Sequence, residues 1–591
     1  MQFDEIISSG VHFLTEPIRV PSGTYLTAEQ GCRLIGGVSL SGKYTMLENG
    51  VYVCDLKKYG VNPARFVSRG FGRAVAPSHS ALFIDGKPMQ IARYPKKDFL
   101  KITDVGEATS NEWGNKVGAL KGGFYYEDAR PEAWRDGEIW VHGYWAYDWS
   151  PTCERIELWD KARGFIRNAE PYGLYSYIVG QRFYFFNVID EVTCPGDYAI
   201  DFDRGLLYFL PPEDFDPATG EVFLSTADTP AFLIEDAEDV RLAGFRIECF
   251  RGDGIVVHNA KNVSIADCTI KNIGNRAVVV TGSENVVVSG CHIHDTGDAG
   301  VDMFCGDRKT LTSANCGVEN CHIHHVAAWN RCYQPPVKLT GVGLFARGNL
   351  LHDCPHSAVL YGGNEIHIEN NEIYRVVQET GDAGAIYAGR DYTWRGNVVA
   401  GNFVHHVGSG IGMGTMGVYN DDCLSGTVMR DNVFYKVQRA LFLGGGVDFV
   451  CDNNILIECP PGIEIDGRGQ NDHDVWRKMV TGYMRDRFYH IDGNTDVSGA
   501  EPPYITKYPE LKKIDDYYRS SDAPHIPPSA RITNNIFVVN PDNPEEQRVK
   551  FTWNTDGGTF EMENNRDSTL DAILPSLTAR QCDVILGRID F

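Results

Sequence analysis

The chain has 591 residues and a net charge of −24, and 43% of it is hydrophobic. One compact core does not grow to this length, so several domains or a repetitive solenoid are expected. The acidic charge argues against a nucleic acid or an anionic membrane as partner, because both need clustered Lys and Arg. No window is long and apolar enough for a transmembrane helix. The N-terminal "MQFDEIISSGVHFLTEPIRV" lacks the pattern of a secretion signal, which favours a cytoplasmic protein.

Residues 1–40 predict an N-terminal cap and the first coil of a solenoid. The stretch "GVHFLTEPIRVPSGTYLTAEQGCRLIGG" consists of short β-rich runs separated by polar turns. Residues 41–225 lose this pattern and are rich in aromatic, strand-like segments such as "GEIWVHGYWAYDW". We therefore expect an inserted β-rich domain at 41–225.

Residues 226–469 contain a repeat of three short strands. Each repeat has an anchor, Cys at first and Asn later, which recurs every 22 to 31 residues. The anchors are Cys268, Cys291, Cys321, Asn349, Asn371, Asn402, Asn432 and Asn454. A single coil cannot bury its apolar side, so the coils must stack into parallel sheets, and the Asn side chains can bond along the stack. The predicted fold is all-β, a right-handed parallel β-helix whose central coils carry the active groove.

Two segments follow the central coils. Residues 470–529 lack the coil pattern and include the amphipathic helical piece "DVWRKMVTGYMRDRFYHI". An excursion of this length is more often a functional flap than a linker. The coil pattern returns at "ARITNNIFVVN", so residues 530–591 are expected to form C-terminal coils and a cap.

Aligning the third strands of the repeats predicts one charged face. The second position is always aliphatic and points inward, so the third and fifth positions point outward. The third position is Val279, Asp302, Lys338, Leu360, Tyr387, Tyr419, Phe442 and Glu464. The fifth is Thr281, Phe304, Thr340, Gly362, Gly389, Asp421, Gly444 and Asp466. Glycines at exposed strand positions leave room for a close approach, which indicates a ligand groove.

Carboxylates and aromatic rings in one groove indicate carbohydrate chemistry, with one carboxylate as acid and another as base or nucleophile. The candidate catalytic residues are Asp382, Asp421, Asp422 and Asp466. The candidate substrate-binding residues are Asp302, Lys338, His356, Tyr387, Arg390, Asp391, Tyr419 and Glu464. Asp421 and Asp466 share a column two coils apart, roughly 9.5 Å, near the inverting range. Asp382 lies on the opposite wall, and both pairings stay open.

The remaining polar residues favour structural roles. His292, His294, His322, His324, His405 and His406 lie on second strands facing away from the groove. Their spacing is not that of a zinc site, so packing is expected, with no metal ligand and no cofactor. Asp298, in the first of two "GDAG" copies, is expected to hydrogen-bond the backbone of its own turn.

The segments "HSAVLYGGNEIHIENNEIYRVVQETGDAGAIYAGRDYTWRGNVV", "GVYNDDCLSGTVMRDNVFYKV" and "GIEIDGRG" resemble bacterial β-helix glycosidases of glycoside hydrolase family 141. The resemblance covers most of the chain and implies α-L-fucosidase or xylanase activity. It also implies a catalytic pair of aspartates at positions matching Asp382, Asp421 or Asp422, and Asp466. Relatives often have "YLDD" where this chain has "YNDD", which places Asn420 at an inward position.

Two other functions remain open at this stage. A polysaccharide lyase on the same fold would use Lys338 or Arg390 as the base, with calcium neutralising a uronate. A non-catalytic carbohydrate-binding β-helix would bind the same class of ligand without cleaving it. The partner is an oligosaccharide or polysaccharide in every case, and the sequence does not indicate an oligomeric state.

Overall fold

The computed structural model describes residues 3–408, 410–412, 414–491, 497–539 and 548–589. The expected excursion at 470–529 and the expected C-terminal coils at 530–591 therefore include residues, 492–496, 540–547 and 590–591, that lie outside the described part.

Three long parallel sheets form the body of the molecule, which confirms the right-handed parallel β-helix. The first sheet contains Phe3–Ile7, Thr24–Ala28, Glu238–Ala243, Lys261–Ala266, Glu284–Ser289, Gly317–Glu319, Phe345–Arg347, His367–Glu369, Val398–Ala400, Val428–Arg430, Phe449–Asp452, Ser529–Thr533 and Thr559–Glu563. The second contains Gly10–Phe13, Cys32–Ile35, Arg246–Glu248, Thr269–Ile273, His292–Thr296, His322–His324, Leu350–His352, Glu372–Tyr374, Phe403–His405, Val433–Tyr435, Ile455–Ile457, Ile536–Val538 and Arg566–Asp567. The third contains Ile18–Arg19, Phe232–Glu235, Ile255–His258, Val278–Thr281, Val301–Cys305, Val337–Val342, Val359–Asn364, Ala383–Gly389, Thr415–Asp421, Leu441–Gly444, Ile463–Asp466 and Val549–Thr552.

The register of the third sheet follows the columns predicted from the sequence. Tyr387 pairs with Tyr419, which pairs with Phe442, and Gly444 pairs with Asp466. The aliphatic second positions are fully buried in the core between the sheets, as at Ile386. A one-residue slip would turn these apolar side chains outward, so burial fixes the register and with it the charged outer face.

A ladder of buried asparagines runs through the stack, as the repeat predicts. Asn349 Nδ2 donates to Asn371 Oδ1 at 2.9 Å, and each next Asn repeats this contact. The ladder continues through Asn454 to Asn535 and Asn565. Each amide also donates to a backbone carbonyl of a neighbouring coil, so every rung satisfies buried polar groups of adjacent turns.

Between Ile35 and Phe232 the chain forms antiparallel and mixed sheets outside the solenoid. Two smaller sheets contain Gly37–Ser39, Leu82–Ile84, Lys87–Pro88 and Val222–Ser225, and Thr45–Met46, Tyr52–Asp55, Gln90–Ile91, Asp197–Asp201 and Leu206–Phe209. The largest contains Arg69–Gly70, Arg93–Tyr94, Leu100–Lys101, Asp104–Val105, Phe124–Tyr125, Trp140–Tyr144, Thr152–Asp160, Phe165–Asn168 and Arg182–Phe186. The last contains Ala108–Ser110, Lys116–Gly118 and Tyr177–Ile178.

A buried ion pair and a tyrosine hydrogen bond join these outer sheets to the coils. Arg69 donates to Asp298 at 2.7 Å, so the Asp298 carboxylate holds this domain and does not merely serve its own turn. The Glu379 carboxylate accepts a hydrogen bond from Arg331 of the coils at 2.7 Å and another from the Tyr144 hydroxyl of the outer sheets at 2.8 Å. Because each charge is paired, burying it in the junction is tolerated.

The helices are short and lie outside the solenoid. After a 3-10 turn at Arg468–Gln470, they are Asp474–Lys478 and Arg485–Tyr489, with a π-helical segment at Met479–Met484 between them, then Tyr504–Lys507 and Leu511–Ser520. Tyr504 donates to Asn364 at 3.0 Å, so this segment packs on the coils. The C-terminal Leu570–Ile573 and Ala579–Ile585 bury Ile573 and Ile585 against the second sheet. Across the described residues, no helix is both long and apolar enough to cross a membrane.

Candidate active site

Two tyrosines on adjacent strands of the third sheet each donate a hydrogen bond to an aspartate of the neighbouring coil. The Tyr387 hydroxyl donates to Oδ2 of Asp421 at 3.0 Å, and the Tyr419 hydroxyl donates to Asp382 at 3.1 Å. The two rings meet edge to face with centroids 5.4 Å apart. Each carboxylate is therefore positioned by the coil next to its own, and the tyrosine pair lies between them.

The Arg468 side chain donates hydrogen bonds to three aspartates. Its Nη1 donates to Asp421 at 2.7 Å and to Asp422 at 2.8 Å, while its Nη2 donates to Asp466 at 2.8 Å. The guanidinium is 5% exposed and lies against the rings of Phe442, Trp476 and Trp553. The sequence analysis missed Arg468, although "IDGRG" places it two residues after Asp466.

The neighbouring carboxylates Asp421 and Asp422 have opposite protonation tendencies. Burial and the negative charge of Asp422 raise the pKa of Asp421 to about 7. Burial would also raise the pKa of Asp422, but Arg468 and Arg390 outweigh it and hold that pKa below its usual value. Near neutral pH the protonated and ionised forms of Asp421 are therefore both populated, while Asp422 is ionised. The Asp421 side chain is 11% exposed.

Asp382 lies at the start of its strand, on a tight turn. Its backbone has a φ of 52°, and its N–H donates to the carbonyl of Gly414 at 2.9 Å. The preceding Gly381 donates to the carbonyl of Asp148, so the domain at 41–225 braces this turn. Burial raises the pKa of Asp382, although Arg468 and the Tyr419 hydroxyl oppose this. Asp382 remains partly exposed and is a second carboxylate within the groove.

Asp466 does not face the groove, which corrects its expected role as a partner of Asp421. It is 1% exposed, and both of its oxygens accept hydrogen bonds from the Arg468 side chain. Because its side chain is almost completely buried against the guanidinium, Asp466 orients Arg468. The column spacing predicted the position of the Asp466 backbone correctly, but it did not predict the direction in which the carboxylate points.

His356 and Asp391 also need correction, because both are buried away from any substrate. His356 is 2% exposed beneath the ring of Tyr333, at a centroid distance of 4.6 Å. Asp391 is fully buried and accepts from the backbone and hydroxyl of Thr393, and from Arg487 at 3.3 Å. Asp391 therefore fastens the helical excursion to the coil.

Three further predicted contacts lie at the margins of the site. Glu464 is 5% exposed and pairs with Arg439 at 3.1 Å, which holds its carboxylate at the sheet surface. Asp302 pairs with Arg276 at 3.2 Å and lies three strands from Tyr387, about 14 Å at ordinary strand spacing. Lys338 lies two strands from Tyr387 on the same face. The structure therefore does not bring Asp302 together with the carboxylates of the groove.

Arg390 lies at the edge of the site and is the second arginine that contacts Asp422. It pairs with Asp422 while half of its side chain stays exposed. Burial would lower its pKa, but Asp422 and Asp421 outweigh it and raise that pKa above the usual value. Arg390 is accordingly a permanent cation at the rim, suited to hold hydroxyl or carboxylate groups of a ligand.

Aromatic rings from outside the coils flank the groove. In the 41–225 domain, Phe71 packs edge to face against Trp149 and stacks on Tyr175. The Phe71 ring also lies 5.3 Å from the ring of Tyr333, and Tyr333 in turn contacts Tyr387 of the groove. On the other side Trp553 is half exposed beside Arg468. Such rings form platforms for the apolar faces of sugars. The sequence could not reveal this wall, because its members are far apart along the chain.

One contact spans the two flanks. Trp113 of the hairpin between Ala108–Ser110 and Lys116–Gly118 stacks on His473 with centroids 4.5 Å apart and an interplanar angle of 13°. His473 caps the first helix of the excursion. The outer sheets and the helical excursion are therefore in contact through these two rings.

The fold and its groove define a right-handed parallel β-helix protein. A family profile described as a right-handed β-helix region matches residues 224–339. A solved structure called a glycoside hydrolase covers 98% of this chain and 92% of its own, with a TM-score of 0.52 and 14% identity. The complex of XylC with xylose covers 95% and 81%, with a TM-score of 0.45 and 10% identity. No curated protein sequence matches the chain. The likeness to the first of these structures, at 14% identity, concerns the fold alone.

Proposed function

We propose that the protein is a glycoside hydrolase that uses Asp421 as general acid and Asp382 as general base. The observation that carries this proposal is the charge arrangement around Asp421. Its pKa is raised to about 7 beside an ionised Asp422, so it holds a proton that it can donate to a glycosidic oxygen. Asp382, at the opposite end of the strand pair, is available to activate a water.

This arrangement supports inversion of the anomeric centre. The tyrosine pair separates Asp382 from Asp421, which leaves room for a water between base and sugar. The competing pair is Asp421 with Asp422. Both bind the same nitrogen of Arg468 at 2.7 and 2.8 Å, so they lie within the spacing of about 5–5.5 Å used by retaining enzymes. Asp422 is held by two arginines and is 3% exposed, which disfavours it as a nucleophile.

The substrate class follows from the groove and from the family resemblance. The aromatic flanks fit the apolar faces of the sugar rings of an oligosaccharide or polysaccharide. Resemblance to glycoside hydrolase family 141 favours fucoside or xyloside linkages. No cofactor is needed, because the two carboxylates supply both proton transfers.

A calcium-dependent lyase is the weaker alternative. The space between Asp421, Asp422 and Asp466 is filled by the Arg468 guanidinium, so these carboxylates do not fit a calcium ion. Arg390 has a raised pKa and is therefore a poor base at neutral pH. Lys338 lies two strands away from the tyrosine pair. A binding protein without catalysis would not need a carboxylic acid whose pKa is raised to about 7.

The deciding experiment is a screen of aryl α- and β-glycosides, fucosides and xylosides first, with the wild type and single variants. Asp421→Asn and Asp382→Asn should each reduce kcat/KM by at least about 100-fold. Asp452→Asn, on the first sheet, is the matched control and should keep full activity. Proton NMR of the first-formed product should show the inverted anomer, whereas a retained anomer would assign the chemistry to Asp421 and Asp422. If Asp421→Asn and Asp382→Asn both cleave at the wild-type rate, the catalytic assignment is wrong.

A further inference from the structure

A cluster of histidines covers the outer surface of the second sheet, on a different face from the groove. In this sheet His292 pairs with His322 and His294 pairs with His324, and the latter column continues to His352. The rings stack in parallel, with His294 and His324 5.0 Å apart and His324 and His352 4.8 Å apart. The sequence predicted only packing for these residues, because the three coils that supply them are about 30 residues apart.

Nitrogen atoms of different rings meet at distances that suit a shared ion. His292 Nε2 lies 2.9 Å from His324 Nε2, and His322 Nε2 lies 2.7 Å from His352 Nε2. One nitrogen from each of His292, His322 and His324 lies within 4.8 Å of the other two. Two nitrogens bound at about 2.05 Å to one ion are about 2.9 Å apart at a right angle and about 4.1 Å apart on opposite sides. Small ring rotations would therefore bring all three nitrogens onto one ion.

Carboxylates behind the rings orient two of these histidines. His294 Nδ1 contacts Asp295 at 2.7 Å, and His352 Nδ1 contacts Asp353, which Arg375 also holds. Neither is among the three histidines whose nitrogens converge, but both stack on His324, so their carboxylates help to fix the column in which that ring lies.

The three rings are half-buried, so solvent and a dissolved ion can reach their nitrogens. Neutral imidazoles with an open side suit Zn²⁺, Cu²⁺ and Ni²⁺, whereas Ca²⁺ and Mg²⁺ require oxygen ligands.

We propose that His292, His322 and His324 bind a divalent transition-metal cation that clamps two successive coils of the β-helix. The ion would join the strands His292–Thr296 and His322–His324 by bonds between their side chains. Binding to the folded state alone stabilises it, because folding then includes the free energy of metal binding. This site is independent of the groove, since it lies on another sheet and involves none of the catalytic aspartates.

The test uses the full-length protein stripped with a chelator, and Zn²⁺ alone as the probe. Calorimetric titration should give one saturable site per chain, and one equivalent of Zn²⁺ should raise the thermal midpoint. Co²⁺ substitution should give the visible absorption of a nitrogen-ligated ion.

His324→Phe and His292→Phe are the informative variants, since phenylalanine keeps an aromatic ring in the stack but offers no ligand nitrogen. Each should fold with an unchanged circular dichroism spectrum and lose at least about tenfold in Zn²⁺ affinity. His258→Asn, on the third sheet, is the matched control and should bind like the wild type. No saturable site in the wild type, or unchanged Zn²⁺ binding in both phenylalanine variants, would overturn the proposal.

Discussion

The hydroxyl of Tyr387 donates a 3.0 Å hydrogen bond to Oδ2 of Asp421 on the next coil. A donor on a carboxylate stabilises its ionised form, so this contact opposes the burial that raises the pKa of Asp421. The proton-donating group of the site is therefore tuned by a residue one coil away.

The pH dependence of kcat/KM should have an alkaline limb near pH 7. Asp421 must be protonated to act as the acid, and its pKa is raised to about 7, so activity falls as the pH rises through that value. The acid limb should report Asp382, which must be ionised to act as the base, and should lie above the range of an ordinary aspartate because burial raises its pKa. Initial rates at low substrate concentration from pH 4 to pH 9 measure both limbs. Activity that keeps rising to pH 9 would exclude Asp421 as the acid.

Tyr387→Phe should move the alkaline limb upward. Removing the donor destabilises the ionised Asp421, so its pKa rises by up to about one unit. Tyr419→Phe is the matched variant, because it removes the same group from Asp382 and should move the acid limb upward instead. The pH profiles of both variants separate the two roles. If both variants moved the same limb, one of the two assignments would be wrong.

Arg468→Met should destabilise the protein increasingly as the pH rises. Burial already holds the folded-state pKa values of Asp421 and Asp466 above the unfolded ones, and without the guanidinium that opposes this they rise further. The variant is then most stable at low pH, where both groups are protonated, and loses stability as the pH rises through the raised values. A loss of about 3–5 kcal/mol is expected at pH 8. Thermal midpoints at pH 5 and pH 8 measure it, with Arg468→Lys, which keeps the charge, as the control.

Much of this architecture can be predicted from the sequence repeat, and the register of the paired strands is predicted most reliably. The side chains alternate with a period of two, so the aliphatic second position fixes which residues face outward, and the pairing of Tyr387 with Tyr419 follows. The column does not determine side-chain direction. Asp466 turns to Arg468, and Asp391 turns to Thr393, because local partners decide where a carboxylate points.

The flanks of the groove could not be predicted for a different reason. The ring of Trp149 contacts Phe71 and Tyr175, which are 78 and 26 residues away in the chain. No repeat or spacing links these positions, and only the docking of the 41–225 domain on the coils brings them to the site. Sequence periodicity predicts contacts between coils, but it does not predict contacts between domains.

Trp149→Ala should weaken substrate binding more than catalysis. The ring is part of the aromatic flank and touches none of the catalytic carboxylates, so its loss should raise KM and leave kcat within about twofold. A loss of about 0.5–1.5 kcal/mol corresponds to a KM about 2- to 12-fold higher. Steady-state kinetics on an oligosaccharide measure this, with Trp159→Phe, on the far side of the same domain, as control. A large fall in kcat at constant KM would contradict the binding role.

Asn402→Ala should cost more stability than any surface change in the same stack. Asn402 Oδ1 accepts from both the backbone and the side chain of Asn371, and its Nδ2 donates to the carbonyl of Ile368 at 2.9 Å. Alanine leaves these buried groups without partners, at about 1–3 kcal/mol for each group. Asn453→Gly is the matched control, because the exposed Asn453 side chain donates to Asp431 at the surface and glycine adopts the φ of 53° at this position without strain. Urea unfolding followed by circular dichroism compares the midpoints, and equal midpoints for the two variants would show that the ladder does not stabilise the coils.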